Sequence, residues 1–232
     1  MKKFFLRHFP RSAALPREKL YAAAAVGMFS LIWPLPWLLI HGTTAMQIIS
    51  GGILPALIGI AAMIWCIRKN IFHVLRIKKS GLKTLVIAAA AVLLIAPASG
   101  AATEAWKYLL TLLDIPFEEN QHLLELAKTL NGGTFFLLFL MVTIPVPIAE
   151  EILFRRVIYE LFLPAGGGAA FLFTALLFAA AHFFLAGLPG LFIIGAALQL
   201  LFIMTGNLSV PILAHALFNA GTMLAVLFVS HL

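Results

Sequence analysis

Charge is scarce in this sequence. Asp, Glu, Lys and Arg make up 11% of its 232 residues, against 62% hydrophobic. A water-soluble domain keeps charged residues on about 25–35% of its surface. An aqueous globular fold is therefore excluded, and a bilayer is the solvent that fits. Cysteine is nearly absent. Cys66 is alone and lies inside an apolar run, so no internal disulfide exists and the thiol reads as a small core residue. Aspartate is nearly absent too. Asp114 is the single copy, which excludes an aspartyl dyad. There is no His-Glu-x-x-His and no Gly-x-Ser-x-Gly, so zincin and nucleophile-elbow serine chemistries lack their motifs. No internal repeat or low-complexity tract occurs, and the missing inverted halves count against a small transporter.

What is present is a series of apolar runs near the roughly 20 residues that a helical span needs. Seven candidates run about 20–40, 45–67, 82–101, 134 onward, 169–186, 188–205 and 208–229. The expected fold is an all-α polytopic transmembrane bundle of about seven spans, with six to eight as the range. Turn signals separate the last three runs: Gly166-Gly167-Gly168, Gly187-Leu188-Pro189-Gly190 and Gly206-Asn207. The first run is too long for a signal-peptide core and lacks a cleavage site, so it reads as an uncleaved span.

The net charge of +7 is clustered. Lys2, Lys3, Arg7, Arg11, Arg17 and Lys19 precede the first run, and Arg68, Lys69, Arg76, Lys78, Lys79 and Lys83 fall around the 68–83 loop. This is the positive-inside pattern. It points to an anionic lipid surface as partner rather than nucleic acid, and to a cytoplasmic N-terminus. Segment 102–133 carries Glu104, Asp114, Glu118, Glu119 and Glu125 against Lys107 and Lys128, as an outer segment would. Leu123, Leu126, Ala127 and Leu130 at helical spacing predict an amphipathic extracytoplasmic helix there. The chain thus divides into 1–101 (basic segment and three spans), 102–133 (outer amphipathic segment) and 134–232 (a core of four spans).

After Lys128 the remaining charges are Glu150, Glu151, Arg155, Arg156 and Glu160, all in one stretch with apolar neighbours. A run from Thr134 to Ala149 is short for a crossing, so the helix is expected to continue through the charges. A charge at mid-membrane costs about 2.5–3.5 kcal/mol, so each needs a partner or water. Glu151 and Arg155 stand four apart with the acid first, the favourable order. Glu150 points about 100° away, free to face a cavity. Pro145 and Pro147 just upstream loosen the helix and could admit water. In the later spans the strongly polar groups are His182, with Phe178 one turn before it, then Gln199, and His215 with Asn219 one turn after it on the same face. Taken singly, each has a structural alternative: a membrane-edge charge string, a plain proline kink, a packed histidine, a helix–helix hydrogen-bonding pair. Together, ionisable groups on three helices meet only inside the bundle, where such groups are functional candidates.

Glu150-Glu151…Arg155, Phe178…His182 and His215…Asn219, in that order on separate apolar segments, resemble the motifs of the CPBP family of glutamate-dependent intramembrane proteases (CAAX proteases and bacteriocin-processing enzymes). The resemblance covers 134–229. It implies an endopeptidase that cuts membrane-associated peptides or proteins. Glu150 and His182 would activate a water, His215 and Asn219 would stabilise the oxyanion, and Glu151, Arg155 and Phe178 would support them. No cofactor is implied by the preferred reading. The alternative is a His₂Glu zinc site formed by Glu150, His182 and His215. A non-catalytic immunity or scaffold protein of the same fold is the competing function. The expected location is a bacterial inner membrane.

Overall fold

The computed structural model describes residues 17–32, 54–67, 75–79, 81–117, 128 and 130–230. Regular structure among them is helical throughout. In chain order the elements are α1 (Arg17–Ile32), α2 (Leu54–Ile67), α3 (Leu82–Leu112), α4 (Gly132–Thr143), α5 (Pro145–Glu151), a π-helix (Ile152–Ile158), α6 (Tyr159–Phe162), a 3-10 turn (Leu163–Ala165), α7 (Gly167–Ala180), α8 (Leu188–Thr205) and α9 (Ser209–Ser230). Four stretches are long and apolar enough to cross a membrane: Leu82–Leu112, Gly132–Ala165, Leu188–Thr205 and Ser209–Ser230. Leu93, Leu94, Phe136 and Phe228 stand outward on them, largely exposed. Water does not tolerate such a surface and hydrocarbon does. The chain is an integral membrane helical bundle.

Two expectations change in detail. The third apolar run stays helical past Ala101 to Leu112, because its polar extension finds partners. Lys107 pairs with Glu104 at 2.9 Å, and Trp106 Nε1 donates to Leu185 O at 3.0 Å. The fifth run ends early, at Ala180 rather than Ala186. The outer amphipathic helix around Leu123, Leu126 and Ala127 lies outside the described residues, as does 33–53 between α1 and α2. Leu130 is described and packs on Phe135, Leu138 and Met223.

The span 132–165 forms the axis of the bundle. Asn131 starts it by accepting from Thr134 N at 2.9 Å. Pro145 and Pro147 then lack the N–H groups that the carbonyls of Met141 and Thr143 would take. The helix breaks at Ile144, with φ −116 and ψ −75. It re-forms and runs on through the charges, as their apolar neighbours predict. From Ala149 to Tyr159 every side chain is buried. A helix enclosed on all sides is a core helix, and α1, α7 and α9 gather round it. Gly27 of α1 shows how closely: a Cβ there would lie 2.6 Å from Leu153 Cδ1.

At one end of the bundle, segment 75–79 is laced to the turn between α8 and α9. Leu208 N donates to Arg76 O at 3.0 Å, Lys78 N to Asn207 Oδ1 at 3.1 Å, and Ser209 Oγ to Lys78 O at 2.9 Å. Gly206 allows that turn by taking φ 56. Burial holds the Arg76 guanidinium below its ordinary range, and Arg156 adds to the effect.

Candidate active site

The two glutamates at the centre of the axis have different surroundings. Glu151 is fully enclosed. Its Oε2 accepts from Arg155 Nε at 2.8 Å and its Oε1 from Arg155 Nη2 at 3.3 Å. The i, i+4 pair expected from spacing therefore forms, in the two-pronged geometry that arginine favours. Glu150 is buried as well, yet its Oε2 makes no hydrogen bond among the described residues.

His215, one and a half turns into α9, reaches both acids. Its Nδ1 lies 3.0 Å from Glu151 Oε1 and its Nε2 lies 3.9 Å from Glu150 Oε2. A carboxylate accepts only, so Nδ1 carries the hydrogen. In the neutral ring Nε2 is then a bare lone pair facing a second acceptor. Two acceptors at that separation need a hydrogen between them, from a doubly protonated ring, a protonated acid or a bridging water.

His182 lies elsewhere than the sequence placed it. It is not deep in a helix but in the turn that follows α7, half-buried, with the next residue, Phe183, at φ 49. Its Nδ1 donates to Phe178 O at 2.8 Å, which again leaves Nε2 as the free nitrogen. α7 spans only 14 residues, or about 21 Å, shorter than the roughly 30 Å of a bilayer core. Irregular backbone survives there only in contact with protein or a wet cavity.

Phe178 joins the parts. Its ring centroid is 4.9 Å from that of His182, 5.9 Å from His215, 5.2 Å from Phe154, and 4.9 Å from Arg155 Cζ. It meets one histidine at a tilt of 54° and the other edge-on, and lies against the cation that holds Glu151. Gly195 of α8 makes room for it: a Cβ would stand 2.9 Å from Phe178 Cδ1. The sequence offered no sign of Gly195's part, since a lone glycine in an apolar helix has many uses.

Asn219 has a partner of its own. Its Nδ2 donates to Val142 O at 2.9 Å, tying α9 to the end of α4 beside the Ile144 break. One amide hydrogen is committed there and one remains. A second buried ion pair was missed: Arg156 Nη1 to Glu160 Oε2 at 2.7 Å. Its i, i+4 spacing was the available signal. Among the described residues no three His, Cys, Asp or Glu side chains are gathered as a metal-holding group.

Residues 132–221 match the family model described as Rce1-like, type II CAAX prenyl endopeptidase Rce1-like. The likeness to this Rce1-like family is confined to that stretch, the C-terminal core of the chain. No curated protein and no solved structure matches it. The matched span contains Glu150, Glu151, Arg155, Phe178, His182, His215 and Asn219. The description is that of a membrane protease, and at the level of class the match supports a membrane peptide hydrolase. α1, α2 and α3 precede the Rce1-like segment and brace it from outside.

Proposed function

We propose that the chain is an intramembrane endopeptidase of glutamate type, acting without metal on membrane-associated peptides or proteins. The observation that carries this is the asymmetry of the adjacent acids: Glu151 is saturated by Arg155 and His215, while Glu150 Oε2 is buried and unpaired 3.9 Å from an imidazole nitrogen. A buried carboxylate without a partner is costly and reactive. In this reading Glu150 takes a proton from water as the oxygen attacks the scissile carbonyl. His182 presents its free Nε2 to the same water. His215, held through Nδ1 by Glu151, stabilises the oxyanion through Nε2, with the second hydrogen of Asn219 beside it. The proton held by Glu150 then passes to the leaving amine. Segment 75–79 and the turn at 206–209 are assigned to the cytoplasmic face of a bacterial inner membrane by the positive-inside pattern.

The test is a mass-spectrometric comparison of peptides from membranes carrying the wild type, Glu150→Ala or His182→Ala at equal abundance. Products present only with the wild type are expected. Identical products from both variants would overturn the reading. A second reading, a non-catalytic scaffold, is favoured by the bond from Asn219 to Val142 O, which holds helices together. On that reading both variants would lose stability and no specific product would be missing.

A further inference from the structure

Behind the acid pair lies a second polar layer that the proposed chemistry does not use. Gln199 and Thr174 are fully enclosed in apolar helices. Both amide atoms of Gln199, the hydroxyl of Thr174 and Nη1 of Arg155 have no hydrogen-bond partner among the described residues. Burying such atoms unpaired is unfavourable, so four together call for an occupant.

Their positions are fixed by the packing of α7 against α8. Phe178 meets Gly195, and Ala170 meets Ile203 together with Tyr159. Midway between these contacts on the antiparallel pair stand Thr174 and Gln199, one turn from each. On the axial helix Arg155 marks the Phe178 level and Tyr159 the Ala170 level. The side chains of Thr174 and Gln199 thus face each other in the layer between Arg155 and Tyr159.

We propose that Thr174, Gln199 and Arg155 Nη1 enclose a bound water, and that Gln199 and Thr174 are positioning residues that seat the Arg155 guanidinium behind Glu151. Arg155 Nη1 and Gln199 Nε2 donate to the water oxygen, and the water's two hydrogens go to Gln199 Oε1 and Thr174 Oγ1. Such a water has the two to four polar partners that buried waters keep. It completes the set of arginine donors whose other members hold Glu151.

The test uses the full chain in detergent, labelled with ¹⁵N-arginine, and follows the Nε–H resonance of Arg155, assigned by its loss in Arg155→Lys. Gln199→Met and Thr174→Val should each move that resonance and lower Tm. The double variant should fall no further than the worse single, because both lose the same water. Thr174→Ser, which keeps the hydroxyl, should restore the wild-type resonance. An unmoved resonance in Thr174→Val, or additive Tm losses in the double variant, would overturn the proposal. Should Gln199→Met fail to fold, the contrast between Thr174→Val and Thr174→Ser still decides it. No substrate is needed, so failure here leaves the peptidase reading standing, and the reverse also holds.

Discussion

Replacing Arg155 by Met separates the structural acid from the reactive one. Arg155 gives Glu151 two hydrogen bonds at 2.8 and 3.3 Å, and both side chains have no exposure. Met fills similar volume without charge, so little packing is lost and the carboxylate is left with His215 alone. Removing one partner of a buried pair costs about 3–5 kcal/mol. For a chain of this length each kcal/mol moves Tm by about 2–4 °C, so a drop of roughly 6–20 °C is expected by fluorescence-monitored unfolding in detergent. The decisive comparison is Glu151→Gln with Arg155→Met. That double variant has no buried charge at the pair, and Gln still offers His215 Nδ1 an acceptor oxygen. It should recover at least half of the loss. A double variant as unstable as Arg155→Met, or more so, would refute the view that the stranded charge is what destabilises.

Glu150→Gln removes a charge that has no hydrogen bond to lose at Oε2, so Tm should hold or rise while cleavage falls by about 10²–10⁴-fold; a Tm drop like that of Arg155→Met would mean that Glu150 is structural. Gly195→Ala drives a methyl against Phe178, and should cost about 1–3 kcal/mol in a Tm measurement and reduce turnover more than the mild Gly133→Ala control, whose added Cβ meets only Asn131 Oδ1 at 3.5 Å. Asn219→Ala loses the bond to Val142 O and should cost about 1 kcal/mol; a larger loss of cleavage than of stability would tie its second hydrogen to the oxyanion. Chelator treatment followed by zinc addition should leave cleavage unchanged, and loss that zinc restores would reinstate a metal.

The chemistry was legible where it depended on neighbours in sequence. The Glu151–Arg155 pair follows from helical spacing, and the isolation of Glu150 follows from the angle between successive residues. Span positions were legible too, because hydrocarbon demands apolar runs of a set length. Helix ends were less so: Ala181 and Phe183 are good span residues by composition, and only tertiary contacts such as Trp106 to Leu185 O stop α7 short. The partner of Asn219 depended on a carbonyl of α4, distant in sequence but packed directly on α9, at a break whose existence Pro145 and Pro147 announced but whose acceptor they did not. Phe178 was legible as a neighbour of His182. Its contact with Arg155 was not, since nothing local links α7 to the axial π-helix.

The brevity of α7 has a consequence for the surrounding lipid. Its 14 residues reach about 21 Å, while the hydrocarbon of a typical bilayer is about 30 Å thick. A deficit of that size is met by local thinning of the leaflet. Where α7 crosses by itself, thin bilayers suit it better than thick ones, and the acyl-chain length of the host bilayer is expected to set how near the aqueous boundary comes to His182.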